Sequence, residues 1–141
     1  MSNTEIPTRE RIEEAINSSL KMLYTQDRDL LNQRGLEVTI NAKLACYIQS
    51  HLPEWNVDVE YRREGDNPKC NSEGKEVQPD IIIHQRGPEG PNICAIEAKG
   101  HWNDEGRAID KGKLADYKSA QGYTTAYFIE YGSKKASLQA I

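Results

Sequence analysis

The chain has 141 residues, 37% of them apolar and 28% charged, with a net charge of −4. That length accommodates one domain with a real core, and the composition excludes a chain that is disordered throughout. No apolar run approaches the ~20 residues of a membrane span, and the acidic balance argues against DNA binding over the whole surface while leaving room for a local basic groove.

The segment Met1–Glu10 is polar and has no apolar signal region, which points to a cytoplasmic protein. Cys46, Cys70 and Cys94 are widely spaced and form no CxxC pair, so reduced thiols are expected rather than a structural zinc site. After Pro7-Thr8, Ile12, Ile16, Leu20 and Leu23 recur at helical spacing. A short helical piece, Asp27–Gln33, follows and is stopped by Gly35. Asn41, Leu44, Ala45, Ile48 and Leu52 share one face of a further helix that Pro53 ends. Val57–Arg62 alternates, with Val57, Val59 and Tyr61 on the face expected to be buried. Glu64–Gln78 reads as a long polar loop.

Pro79 then opens a short apolar run, Asp80–His84, and a turn at Gly87–Pro91 leads into a second, Ile93–Ala98. Consecutive apolar residues in both predict central strands covered on two faces. A break at Gly100–Asp104 precedes a helix over Asp110–Ala120, with Leu114 and Tyr117 on one face, and Thr124–Tyr131 is a last strand. The chain therefore divides into a helical lead-in over residues 1–35, a core over 36–131 and a polar tail over 132–141. The first three strands can pair as a meander, and the helix before the fourth allows a right-handed parallel crossover. The expected architecture is α/β, with helices around a mixed central sheet.

The candidate chemistry lies on the two apolar strands. Side chains at i and i+2 of a strand share a face, so Glu97 and Lys99 point together. If the strands are hairpin neighbours, Asp80 lies beside Glu97. Two carboxylates with one lysine suit metal-assisted phosphodiester hydrolysis: the carboxylates, a main-chain carbonyl and waters would hold Mg²⁺ or Mn²⁺, and Lys99 would orient the attacking water or offset developing negative charge. The [DE]-x-K tripeptide occurs three times, at Glu73–Lys75, Glu97–Lys99 and Asp116–Lys118. Only the second ends an apolar strand with a Pro-Asp strand start before it.

Gln78-Pro79-Asp80-Ile81-Ile82-Ile83, a spacer of sixteen residues from Asp80 to Glu97, and Ile96-Glu97-Ala98-Lys99 together resemble the PD-(D/E)XK nuclease superfamily. The element order from about residue 37 to 130 is similar to its restriction-endonuclease-like αβββαβ core. The resemblance implies metal binding by Asp80 and Glu97 and a catalytic role for Lys99. It further implies a glutamate on the first core helix that joins the metal site, often through water, which Glu37 matches. A polar or basic residue on the helix after the motif, for which Lys113 is the candidate, would contact phosphate. DNA is the expected substrate, and cutting both strands would call for a homodimer.

Blander readings stand beside these. The Asp-Glu-Lys trio can be a structural ion network, and the chain can be a binding module that kept the fold without efficient catalysis. Glu37 can simply offset a helix dipole, and Lys113 can be solvated surface. Glu60 alternates away from the buried face, towards the site. His51, His84 and His101 lack ligand spacing, and His84 reads as a surface residue. Cys94 reads as core. Trp102 either covers the core edge or stacks on a base. Arg62, Arg63, Lys69, Lys75 and Arg86 could form a basic rim, though acids are interspersed among them.

Overall fold

Three successive isoleucines, Ile81–Ile83, are fully buried, and their side chains go to opposite sides of one sheet. A run of this kind can be buried throughout only if helices cover both faces. The computed structural model describes residues 5–61, 63, 64, 67, 68, 70, 72–75, 77–87 and 90–141, with backbone alone at 63, 64, 67 and 68. The elements are α1 (Arg9–Gln26), α2 (Arg28–Leu31), α3 (Glu37–His51), β1 (Asn56–Val59), β2 (Arg63–Glu64), β3 (Asn67–Pro68), β4 (Ile81–His84), β5 (Asn92–Gly100), α4 (Arg107–Gln121), β6 (Thr125–Tyr131) and β7 (Ala136–Ala140).

The main sheet has the order β1-β4-β5-β6-β7. β1, β4 and β5 form the expected antiparallel meander, and β6 lies parallel to β5 after the α4 crossover. On one face Ile81, Ile83, Cys94, Ile96, Ala98, Tyr127, Ile129 and Tyr131 pack against Ile12, Ile16, Leu20 and Leu23 of α1 and Ile40, Leu44 and Ile48 of α3. On the other, Ile82, Ala95, Ala126 and Phe128 pack against Leu114 and Tyr117 of α4. This mixed sheet between helices, with α3, β1, β4, β5, α4 and β6 in sequence, is the restriction-endonuclease-like α/β core expected, preceded by a helical extension. No helix among the described residues is long and apolar enough to cross a membrane.

Local chemistry explains the element ends. Thr8 caps α1 by accepting a hydrogen bond from the Arg11 amide at 3.2 Å. Gly122 closes α4 in the left-handed conformation, φ +71°. At Gly100 the Trp102 ring lies so close that an added Cβ would come within 2.3 Å of it; Trp102 thus covers the edge of the core.

Several expectations change. Residues 132–141, read as a polar tail, contain β7, which pairs antiparallel with β6 from Tyr127↔Ala140 to Tyr131↔Ala136. Its composition is that of an edge strand: Ala136 and Leu138 lean on the core while Ser137 and Gln139 face solvent. The strand expected over 57–62 stops at Val59, which is 38% exposed, and Glu60 turns the chain at φ +49°. Val57 and Tyr61 are only half-buried, because β1 is an edge strand. The loop over 64–78 contains Glu64 of β2 and all of β3, which pair as a small ladder. His84 is not a surface residue. It is 4% exposed, its Nε2 lies 2.7 Å from Asp58 Oδ2, and Tyr61 packs edge-on against its ring. Arg86 joins the same carboxylate, and Lys75 sits 3.9 Å from Glu73, so these two do not form a free basic rim. Arg62 and Lys69 lie outside the described residues, as does the Arg63 side chain. So do Pro88 and Glu89 of the expected turn.

Because Leu138 is half-buried on the core, Leu138→Ser should lower the unfolding free energy in urea by about 1 kcal/mol. An unchanged midpoint would mean that the segment is a free tail.

Candidate functional site

The register of β4 with β5, Ile81↔Ile96 and Ile82↔Ala95, carries the chain so that Asp80 arrives beside Glu97. Asp80 is fixed there through its backbone and its side chain. Its carbonyl accepts a hydrogen bond from the Glu60 amide at 3.1 Å, and its Oδ2 accepts one from the Ala98 amide at 2.9 Å. Glu97 is 4% exposed, and the Tyr117 hydroxyl of α4 donates to its Oε1 at 3.0 Å. The two carboxyl groups hydrogen-bond to each other. Burial, then the Asp80 charge and that hydrogen bond, push the Glu97 pKa up to about 10. Burial also raises the Asp80 carboxyl, partly offset by the Glu97 and Ala98 hydrogen bonds, with the charges of Asp110 and Glu37 adding to the rise. Glu97 therefore keeps its proton at neutral pH and donates it to Asp80.

Lys99, two residues along β5, is 8% exposed. Its Nζ lies 2.9 Å from Asp110 Oδ2 and 3.0 Å from Glu105 Oε2. Burial lowers the lysine pKa, but the hydrogen bonds from Asp110 and Glu105 outweigh it and hold the ammonium above its ordinary value. Asp110, in the first turn of α4, is itself 4% exposed. The segment between β5 and α4 is pinned by Arg107, which donates to the carbonyls of Asn103 and Glu105 at 2.6 Å and to Glu130 at 2.9 Å.

Asp80 and Glu97 are thus in contact, with Lys99 on the same face. Glu37 stands at the start of α3, near but not in that contact. Its Oε1 accepts from the Gly100 amide at 2.7 Å and from Asn103 Nδ2 at 3.1 Å, and it acts on Asp80 through charge. Lys113 is exposed, lies 3.7 Å from Asp110 Oδ1, and its charge reaches Glu97. Glu60 is exposed and meets the site only through its backbone. The other two [DE]-x-K tripeptides lie apart: Lys118 donates to the Ile141 carbonyl, and Asp116 accepts from the Ser72 amide.

Among the described residues no group of three or more His, Cys, Asp or Glu side chains converges on one point. Two carboxyl groups do converge, Glu97 buried and Asp80 partly buried, with the proton on Glu97. That donor set fits a hard divalent cation with two carboxylate ligands, the remaining positions being filled by backbone carbonyls, water or substrate oxygens.

Three residues of this network escaped the sequence reading. Tyr117 shares one face of its helix with Leu114, and that spacing gives no sign that its hydroxyl meets Glu97. Asp110 and Glu105 look like ordinary helix-start acids, and only the approach of α4 to β5 turns them towards Lys99.

No protein-family model and no curated protein matches the chain. Among solved structures it is similar to a chain in the cryo-EM structure of a DrdV–DNA complex, with a TM-score of 0.43 and 15% identity, over 95% of this chain and 12% of that one. It is also similar to the crystal structure of SSO0001, with a TM-score of 0.37 and 16% identity, over 92% of this chain and 76% of that one. The chain spans about one-eighth of the length of the first of these.

The electrostatics set two expectations. A carboxyl whose pKa is raised on folding contributes stability below its unfolded value, near 4.5, that is lost as pH rises towards the folded value, at up to about 1.4 kcal/mol per pH unit. Glu97→Gln should therefore melt above wild type at pH 8, with the gap closing towards pH 4; a gap independent of pH would contradict the shared proton. Asp110→Asn should cost about 3 kcal/mol in denaturant unfolding at neutral pH, at the low end for a broken buried pair because Glu105 remains. A loss of a few tenths would show Lys99 to be indifferent to Asp110.

Proposed function

We propose that the chain is a divalent-cation-dependent nuclease acting on DNA, with Asp80 and Glu97 as the carboxylate ligands and Lys99 assisting the attacking water. The observation that carries this reading is the contact between the carboxyl groups of Asp80, partly buried, and Glu97, buried, on the sheet face that also bears Lys99. Burying like charges together costs several kcal/mol unless a counter-ion or proton offsets it, so a fold that retains the arrangement is best explained by the cation it would hold. The PD-(D/E)XK-like motif that carries these residues supports the same reading.

When bound, Mg²⁺ or Mn²⁺ would polarise the phosphate and acidify a water. The protein's own groups then have defined tasks. The Glu97 carboxyl must give up its proton before both carboxylates can act as ligands, so rising pH favours the competent state. The Ala98 amide and the Tyr117 hydroxyl hold the two carboxyl groups in place. Lys99, kept protonated by Asp110 and Glu105, acts as a cation and hydrogen-bond donor rather than as a base, orienting the water and offsetting charge on the phosphate. Glu37 anchors the Gly100 and Asn103 end of the strand and would reach the cation through water. Lys113, on the exposed side of α4, would meet a phosphate. Two such chains, as a homodimer, would cut both strands.

A second reading, a nuclease-fold binding module with weak or no catalysis, is favoured by one observation. The Lys99 ammonium is engaged by two carboxylates and would have to share itself with substrate.

The two readings separate on plasmid and branched DNA incubated with Mg²⁺ or Mn²⁺. Cleavage should rise with pH above neutrality, stop with EDTA, and fall at least about a hundredfold in both Asp80→Asn and Lys99→Ala. Either cation should also raise the melting temperature of wild type but not of Asp80→Asn. Cleavage by Lys99→Ala equal to wild type would sink the nuclease assignment. No cleavage together with retained DNA binding would establish the binding module.

A further inference from the structure

Resting on the proposed action on DNA, we infer that the cleft between α1 and the β6–β7 turn binds the nucleic-acid backbone, holding the strand not engaged at Asp80 and Glu97. The cleft has a volume of about 660 Å³, and its lining includes Lys21, Arg28, Lys134 and Lys135 against the single acid Glu14. In a chain of net charge −4, this one concavity carries +3. Elsewhere on the described surface Arg9 is met by Glu13, Arg11 by Glu54, Arg86 by Asp58 and Arg107 by Glu130. None of the four cleft cations has an ion pair among the described residues. Exposed cations gathered without counter-charges repel one another, and a polyanion is the ligand that relieves them.

The cleft is built, not merely charged. The Tyr24 hydroxyl donates to the Gly132 carbonyl at 2.7 Å and ties the turn to α1. The turn is closed by the Gly132 amide on the Lys135 carbonyl at 3.0 Å. Its position relative to the carboxyl pair follows from register. Lys99 pairs with Glu130 and Gly100 with Tyr131, so Gly132 begins where β5 ends. The turn therefore stands beyond the same end of the sheet as the carboxyl pair. Glu97 pairs with Phe128, four residues short of Gly132, so the turn lies ~13 Å further along the strands and one to two strands across. The carboxyl pair faces α4 and the cleft faces α1, so a duplex that passes the end of the sheet would meet Asp80 and Glu97 on one side and Lys134 and Lys135 on the other. An acidic protein offers the same charge without the regular spacing of phosphates, and the position at the same end of the sheet as the nuclease-like cluster favours nucleic acid.

The test is fluorescence anisotropy of a short fluorescein-labelled duplex across a salt series, in EDTA so that nothing is cleaved. Lys134→Glu/Lys135→Glu, and separately Lys21→Glu/Arg28→Glu, should each weaken binding at least about tenfold at low salt and lower the salt slope by about 2, since each lost phosphate contact removes ~0.9. The control Lys43→Glu/Lys118→Glu makes the same change of net charge away from the cleft and should lose less than about twofold. Circular dichroism melts check that the variants fold. The proposal is overturned if the cleft variants bind as the control does, if wild type binds no duplex, or if polyglutamate competes for wild type better than unlabelled duplex. Failure here is separable from failure of the nuclease reading. Wild type that cleaves while the cleft variants bind and cleave normally overturns the cleft alone, whereas binding through the cleft without any cleavage supports the cleft and removes the nuclease.

Discussion

Two carboxyl groups in contact, Glu97 buried and Asp80 partly buried, form the constraint around which the rest of the site is arranged. Asp80 and Glu97 come from different strands, and the antiparallel register of β4 with β5 leaves them no way to separate. A slip of one residue would send every side chain of a strand to the opposite face, and the alternation of Ile81, Ile82 and Ile83 between two cores forbids that slip. The hydrophobic effect, acting on neighbours, thus holds together a pair that electrostatics alone would push apart. A proton on Glu97, a backbone amide on Asp80 and a tyrosine hydroxyl on Glu97 make the arrangement tolerable. Such a stored cost is common where a protein must bind something the free state lacks.

The cationic side of the site follows a complementary logic. Lys99 is nearly buried and needs partners, which Asp110 and Glu105 provide from the segment that leads into α4. The same segment is held by Glu37 of α3 and by Arg107, which reaches to Glu130 of β6. The end of β5 is therefore clamped by elements from both faces of the sheet. Side chains placed this way lose little freedom when a ligand arrives, which is what a pre-organised site requires.

Charge is distributed with the same economy. Most described arginines are neutralised locally, and Glu37, Asp80, Glu97, Glu105 and Asp110 stand around the end of β5. Four cations without an ion pair among the described residues line a cleft at the same end of the sheet. An overall charge of −4 is then compatible with a nucleic-acid partner, because the field that a phosphate meets depends on the local arrangement rather than on the sum.

The amino-acid sequence by itself determined the layers and the trio. Doubly buried strands can be read from Ile81–Ile83 and Ile93–Ala98, helical faces from the spacing of Ile12 to Leu23 and of Leu44 to Leu52, and the choice among three [DE]-x-K tripeptides from strand context, since period and apolar runs are local properties. Tertiary structure alone decided which polar groups meet. The hydroxyl of Tyr117 on Glu97, Asp110 and Glu105 on Lys99, the burial of His84 against Asp58, and Glu37 at Gly100 rather than in the carboxyl contact all join residues distant in the chain or turned by a helix's approach. β7 was hidden for a related reason. An edge strand has one solvated face, so its composition matches that of a tail until its backbone finds a partner in β6.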